Sequence, residues 1–238
     1  MKKILFFTLA SLLMASCLPR NVQVPQSPLL STLERKSGLI AYIGADGNMY
    51  VSDKGGGNLM QLTDDAKLPR SQSEPYRYYQ DPSWSLDGDR LAFIAISGQN
   101  TNVKSELLVV NVNDGNVNQI YSSDRERPIY IYWSPDNANV SLLTTSASSQ
   151  ALVLQSIPAE GGDRTVIDTG SPYYWSWAPD GKTMIIHTGG ANSTVPDHLA
   201  FLHVDSEIIE DGLDSSPASF QAPAWSPDGS HILLTRLS

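Results

Sequence analysis

The stretch "AWSPDGSHILLT", residues 224–235, contains the pattern that decides the fold. Residues 226–229 suit a type I β-turn, because proline at the second position has its φ already set and aspartate accepts hydrogen bonds from nearby backbone N–H groups. Trp225 stands before the turn and needs a packed surface for its large ring. Residues 232–234 after the turn form a short apolar run, which is typical of a buried strand. The unit therefore predicts a strand, a tight turn and a second strand.

The same unit occurs three more times along the chain, and its spacing predicts a repeat architecture. Successive tryptophans are separated by 49, 44 and 48 residues, and an apolar triplet begins seven residues after each one. A period of this length is typical of the four-stranded blades of a β-propeller. We expect the four tryptophans to lie largely buried between neighbouring blades. The motif residues are Trp84, Asp87 and Gly88; Trp133, Pro135 and Asp136; Trp177, Pro179, Asp180 and Gly181; and Trp225, Pro227, Asp228 and Gly229.

The remainder of each period supplies further strand candidates. Val-, Ile- and Leu-rich segments separated by Gly, Asp and Asn turns follow each triplet, at 106–112 and 117–121, at 151–157 and 164–167, and at 198–204. The last strand of the third period is blurred within 205–220. An earlier partial unit over 38–63 lacks the tryptophan turn. The sequence predicts an all-β fold, a β-propeller of four-stranded antiparallel blades with about four to five blades represented and an incomplete ring.

These residues resemble a known family of repeats. The Trp-Ser-Pro-Asp-Gly turns, the Asp-Gly hairpins and the "QLT" at 61–63 resemble the WD40-like PD40 repeats of the TolB-type β-propellers. Similar repeats occur in the propeller domains of prolyl oligopeptidase and dipeptidyl peptidase relatives. The resemblance covers residues 38–238 and implies that the motif residues build blades. It implies no particular ligand, because function resides in sites carried by a fold.

The two ends of the repeat array leave ring closure open. One possibility is a product truncated at its C-terminus, whose remaining blades are missing. The other is closure into four blades, in which strands around Trp225 complete a blade with those at 48–52 and 59–63. Closure would give residues 39–43 and 231–235 the same strand position, so we favour truncation. Truncation predicts an open arc in which residues 231–235 form an exposed apolar edge.

The first 17 residues predict a secretory signal. Two lysines precede an apolar run from Ile4 to Met14, and "MASC" at 14–17 resembles a bacterial lipobox whose cysteine is acylated. Met14 stands where the family pattern usually has leucine. The alternative is an ordinary signal peptide that ends at a chance thiol. We expect Cys17 to carry the lipid, residues 18–37 to form a flexible tether, and residues 38–238 to form the propeller. The expected location is the outer membrane or the cell surface.

Composition and motif searches narrow the classes of chemistry. A net charge of −9 argues against binding nucleic acid, and a single cysteine excludes disulfides within the chain. The sequence contains no nucleophile elbow, zinc-protease helix or phosphate loop. His198 and His203 are five residues apart on one strand and so point to opposite faces, which disfavours a metal site. We expect no catalytic residues, no metal and no cofactor.

Three classes of function fit these features. The first is a lipid-anchored propeller that acts as a scaffold for another envelope protein, peptide or ligand, without catalysis of its own. The second is the propeller part of a longer prolyl-oligopeptidase-like serine peptidase whose catalytic domain is absent. The third is a propeller that recognises or cleaves glycans, for which no carboxylate pair can be placed. The first is favoured, because it requires no catalytic residues.

Overall fold

The computed structural model describes residues 38–69, 71, 73–145, 151–189, 196–204, 208–213, 217–218 and 222–235. The predictions for the signal, Cys17 and the tether lie outside these residues. The described residues form strands and turns, and they include no helix long and apolar enough to cross a membrane. The strands are β1 (Leu39–Ile43), β2 (Met49–Asp53), β3 (Met60–Gln61), β4 (Tyr76–Trp84), β5 (Arg90–Gln99), β6 (Asn102–Asn111), β7 (Val117–Ser123), β8 (Arg127–Trp133), β9 (Asn139–Thr145), β10 (Leu152–Pro158), β11 (Thr165–Gly170), β12 (Tyr173–Trp177), β13 (Thr183–Thr188), β14 (His198–His203), β15 (Ile209–Gly212), β16 (Ala224–Trp225) and β17 (Ile232–Leu233).

These strands form antiparallel sheets, named I to V in chain order. Sheet I contains β1–β3, sheets II, III and IV contain β4–β7, β8–β11 and β12–β15, and sheet V contains β16 and β17. Strands within a sheet pair in chain order, so each sheet is a meander. The prediction of four-stranded antiparallel blades is therefore confirmed. The blurred last strand of the third period is β15, which pairs with β14 from His203↔Ile209 to Ala200↔Gly212.

The tryptophan-containing turns join the first two strands of sheets II to V and share one geometry. In each turn the fourth residue donates its backbone N–H to the carbonyl of the first, over 2.9–3.0 Å. That fourth residue has a positive φ, between 59° and 75°. Glycine adopts this conformation without strain and asparagine tolerates it, which explains Gly88, Gly181 and Gly229 and the asparagine at position 137. The aspartate before it accepts the backbone N–H two residues further on, as Asp136 does from Ala138 over 3.0 Å.

The core of the described part of the chain consists of three apolar clusters, each between two consecutive sheets. Sheets I and II, II and III, and III and IV each share one cluster. Trp133 and Trp177 are buried in the second and third clusters, as expected. Trp84 and Trp225 are less buried than expected and keep part of their surface in solvent. Trp84 is less covered because sheet I has only three described strands, and Trp225 is less covered because sheet V has only two.

The described sheets do not close into a ring. Sheets I and V share no ladder, and β17 pairs with β16 alone. Leu233 is 73% exposed on β17. The predicted incomplete ring is thus what the described residues show. The predicted exposed edge is seen in part, because Leu233 is exposed whereas the Thr235 carbonyl accepts the backbone N–H of Ala218 over 3.1 Å.

Candidate ligand-binding cleft

A cleft of about 470 Å³ opens between sheets III and IV. It lies at the starts of β8, β10 and β12, away from the tryptophan-containing turns at the ends of β8 and β12. More than half of its lining residues are aromatic or proline, and we call it the aromatic cleft. The lining residues are Ile129, Tyr130, Leu143, Leu152, Pro172, Tyr173, Tyr174, Trp175 and Ala222.

A β-bulge in β8 builds the mouth of the cleft. The register of β8 against β9 shifts between Pro128 and Tyr130, so one extra residue is inserted into β8. Ile129 and Tyr130 consequently both stand in solvent, with 44% and 51% of their surface exposed. The next alternate residues, Ile131 and Trp133, point into the core between sheets II and III. The bulge thus presents two consecutive large side chains outward without opening the core.

Strand β12 supplies the floor. Tyr173 and Trp175 alternate along β12 and belong to the apolar cluster shared with sheet III, where both are buried. The Trp175 ring meets the Tyr130 ring edge to face, with centroids 5.5 Å apart and planes at 77°. The Tyr173 ring lies 6.4 Å from the Trp175 ring. Edge-to-face aromatic packing holds these rings in fixed orientations, so the floor is preorganised.

The polar groups of the floor are hydrogen-bond donors. The Tyr173 hydroxyl donates to Asp168 over 2.9 Å. Burial, followed by the nearby Asp168 charge, raises the pKa of Tyr173 well above its ordinary value, and burial also raises the pKa of Tyr130. Both phenols therefore keep their protons at neutral pH. The Trp175 indole N–H is buried and has no hydrogen-bond partner among the described residues.

No charged side chain stands among the described residues that line the cleft. The described part of the lining also lacks serine, cysteine and histidine, which are the usual nucleophiles and proton carriers. A concave, mostly apolar site with a few fixed polar groups is the usual form of a ligand-binding pocket. The geometry supports recognition of an apolar group.

Two carboxylates outside the cleft, those of Glu106 and Glu126, form ion pairs with basic side chains. Glu106 contacts Arg77 at 2.5 Å and Lys104 at 2.7 Å. Burial alone would raise the pKa of Glu106, but the hydrogen bonds from Lys104 and Arg77 outweigh it and lower that pKa. Glu126 lies 2.5 Å from Arg164, and the same balance lowers its pKa. These clusters stabilise the sheets rather than offering free charge to a ligand.

Two hydroxyl–imidazole contacts lie outside any cleft that would hold a substrate. Thr183 Oγ1 is 3.4 Å from His203 Nδ1, and His203 Nε2 is 3.1 Å from Asp211. Ser230 Oγ is 2.6 Å from His231 Nδ1 within an exposed turn. Neither group lines a described cavity. His198 contacts Glu210 on one face of β14, and His203 lies on the other face. The prediction that these two side chains point to opposite faces is confirmed.

The predicted motif residues do not line the cleft. Trp133 and Trp177 lie at the far ends of β8 and β12, where they pack between sheets. Sequence analysis missed the cleft residues, because Tyr130 and Trp175 fall outside the repeated motif. One signal was available: "PYYWSW" at 172–177 carries three aromatic residues beyond the motif tryptophan, more than a blade requires.

Comparison with known proteins agrees with this architecture. TolB from Acinetobacter baumannii superposes with a TM-score of 0.54 at 16% identity, over 84% of this chain and 47% of that one. The chain has a TolB-like β-propeller fold. Porphyromonas gingivalis dipeptidyl peptidase 4 superposes with a TM-score of 0.56 at 12% identity, over 76% of this chain and 32% of that one. At such identities the likeness concerns the fold alone.

The TolB-like propeller described here spans about half of TolB and a third of the dipeptidyl peptidase. No protein-family model matches the sequence, and no curated protein matches it either. The predicted TolB-like β-propeller is therefore confirmed by structure and not by sequence similarity.

Proposed function

We propose that the protein is a lipid-anchored, extracytoplasmic β-propeller that binds another envelope protein or peptide through the aromatic cleft. The observation that carries the proposal is the cleft itself. A preorganised apolar floor lies beside two exposed large side chains at its mouth, Ile129 and Tyr130. Aromatic residues in such positions dominate the binding energy of protein interfaces.

Binding is favoured over catalysis by the chemistry of the lining. Tyr130 and Tyr173 keep their protons at neutral pH and are poor nucleophiles, because partial burial of Tyr130 and full burial of Tyr173 raise their pKa values. A scaffold needs only a fixed surface of complementary shape, which the cleft provides. The structural likeness to TolB supports an envelope location only as an analogy of fold.

A photo-crosslinking experiment tests the scaffold proposal. A photo-reactive phenylalanine analogue replaces Tyr130 at the mouth of the cleft, and illumination of the producing cells should yield a discrete adduct with one partner. The matched control carries the same analogue at Val166, which is 52% exposed on β11 and outside the cleft. Adducts of equal yield and pattern at both positions, or none at Tyr130, would refute a binding role for the cleft.

The anchor is proposed from the lipobox-like residues that end at Cys17. Acylation would insert hydrocarbon into a membrane, with each buried methylene contributing about 0.8 kcal/mol. Cys17→Ser should therefore move the protein from the detergent phase to the aqueous phase in a partitioning assay, or leave it with its leader uncleaved. Unchanged partitioning of a cleaved variant would contradict the anchor.

A second candidate is the propeller part of a serine peptidase. It is favoured by one observation, the fold shared with Porphyromonas gingivalis dipeptidyl peptidase 4. An immunoblot of the producing cells separates the two candidates. A scaffold the size of TolB should migrate at no more than about twice the mass of this chain, whereas a peptidase should migrate at about three times that mass, because this chain covers 47% of TolB and 32% of the dipeptidyl peptidase.

A further inference from the structure

A carboxylate stands beside two exposed tyrosines where the first strands of sheets II and III meet. The Trp133 indole donates to Ser83 O over 2.9 Å, which holds β8 beside β4. Tyr130 and Tyr132 are 51% and 46% exposed on β8. Burial raises the pKa of Tyr130 most, and the charges of Tyr132 and Asp81 raise it further, so both groups lie near its phenol. We call Asp81, Tyr130 and Tyr132 the tyrosine–aspartate cluster.

A bulge in β4 exposes the carboxylate of this cluster. The register of β4 against β5 shifts between Gln80 and Ser83, and Asp81 within the bulge has a φ of 52°. Aspartate tolerates this conformation, and bulges commonly re-aim a side chain. Asp81 is exposed and accepts a hydrogen bond from the Gln80 amide over 3.0 Å. No basic side chain among the described residues forms an ion pair with it.

Elsewhere the chain completes the same combination of ring and carboxylate with its own arginines. Two guanidinium groups each lie over a tyrosine ring, 5.4 Å and 5.5 Å from its centroid, and each contacts a carboxylate at 2.5 Å. The two sets are Arg77, Tyr79 and Glu106, and Arg164, Tyr121 and Glu126.

A guanidinium suits both components, because its flat face packs on an aromatic ring while its N–H groups bond a carboxylate. The tyrosine–aspartate cluster has the rings and the carboxylate, but the described residues place no arginine on it. Charge complementarity points the same way, because a chain with a net charge of −9 attracts a cationic partner. Arginine is also among the residues that dominate protein interfaces.

Resting on the proposed scaffold function, we propose that the tyrosine–aspartate cluster binds an arginine side chain of the partner protein. The guanidinium forms an ion pair with Asp81 and packs against the rings of Tyr130 and Tyr132. Because Tyr130 also lines the aromatic cleft, the arginine lies at the mouth of the cleft, beside the apolar group that the cleft receives.

The test uses the full chain in mild detergent, with 3-fluorotyrosine in place of tyrosine, and capped tripeptides with glycine on both sides of a central residue. The central residue is arginine, lysine or citrulline, which is the neutral analogue of arginine. Tyr130→Phe and Tyr132→Phe assign the two ¹⁹F signals. The arginine peptide should shift both signals saturably. The citrulline peptide should bind about fivefold more weakly, because it lacks the charge, and the lysine peptide should bind more weakly because it lacks the planar fork.

Two substitutions of aspartate give a matched comparison. Asp81→Asn removes the charge and keeps the backbone, because asparagine also tolerates a positive φ, and should weaken binding of the arginine peptide about fivefold. Asp124→Asn makes the same change in net charge at a side chain that is 84% exposed outside the cluster, and should leave affinity unchanged. Equal affinity of the arginine peptide and either analogue, no binding of the arginine peptide, or equal effects of the two substitutions would overturn the inference.

The outcome is separable from that of the scaffold proposal. If the crosslinked adduct at Tyr130 forms but the arginine peptide does not bind, the partner is held without an arginine in the cluster. In that case only the present inference fails. If the arginine peptide binds but no adduct forms in cells, the cluster binds guanidinium groups while the scaffold role is refuted.

Discussion

The motif tryptophans of sheets III and IV donate their indole N–H to the preceding sheet, and the acceptor differs between the two. Trp133 donates to a backbone carbonyl, and Trp177 donates to the Ser141 hydroxyl. Trp225 is buried at Nε1 and has no partner among the described residues. For Trp133, Trp177 and Trp225, the equivalent residue of the preceding sheet is Ala92, Ser141 and Ile185, respectively. Of these three, only serine has a side-chain hydrogen-bond acceptor.

This difference gives a prediction for Ser141→Ala. The substitution removes a fully buried hydroxyl and leaves the Trp177 indole unpaired, which should lower the free energy of unfolding by about 1–3 kcal/mol. Urea denaturation followed by tryptophan fluorescence measures the change. In a Trp177→Phe background the donor is absent, so the same substitution should cost much less. Equal costs in both backgrounds would show that the hydrogen bond contributes nothing measurable.

At the scale of elements, neighbouring turns compensate for each other's departures from the repeat. The first turn has Leu86 where the others have proline, and the second has Asn137 where the others have glycine. The Leu86 N–H, which proline would lack, donates to Asn137 Oδ1 over 2.7 Å. The two unusual residues are therefore joined by one hydrogen bond between sheets II and III.

This pairing predicts a favourable coupling between Leu86→Pro and Asn137→Gly. Either substitution alone breaks the bond, so the double variant should be more stable than the sum of the two effects by about 0.5–1.5 kcal/mol. Proline in the turn and glycine at positive φ each recover some stability as well. Leu86→Ala is the control, because it keeps the N–H and should abolish the coupling. A coupling energy near zero for the proline pair would contradict the role of the bond.

At the scale of the whole molecule, the repeat predicted the blades and could not predict the cleft. Trp84, Trp133, Trp177 and Trp225 recur at a fixed position, so their strands and turns follow from local chemistry. The aromatic cleft depends on a bulge at Ile129 and on how sheet IV stacks against sheet III. Neither the bulge nor the stacking of the two sheets depends on a repeated residue. That the Trp175 indole has no hydrogen-bond acceptor among the described residues is likewise evident only from the structure.

The open ends of the described arc give the last prediction, which concerns self-association. Ile40 on β1 is 49% exposed. It lies on the face of sheet I that is equivalent to the face of sheet II carrying Leu91 and Phe93. Those two residues are fully buried against sheet I. Leu233 is 73% exposed on β17, which pairs on one side only. Unpaired strands and uncovered apolar faces promote association, and lysine at an edge opposes it.

Leu233→Lys combined with Ile40→Lys should therefore reduce the concentration-dependent increase in mass measured by light scattering, while circular dichroism stays unchanged. Leu86→Lys is the control, because Leu86 is 69% exposed but lies in a turn with no strand edge to extend. Equal reductions in both variants would mean that the effect does not come from the sheet edges. Net-charge repulsion cannot explain a reduction, because lysine makes the net charge of −9 less negative in either variant and so weakens that repulsion. A fall limited to the edge variant would therefore assign the effect to the open sheets.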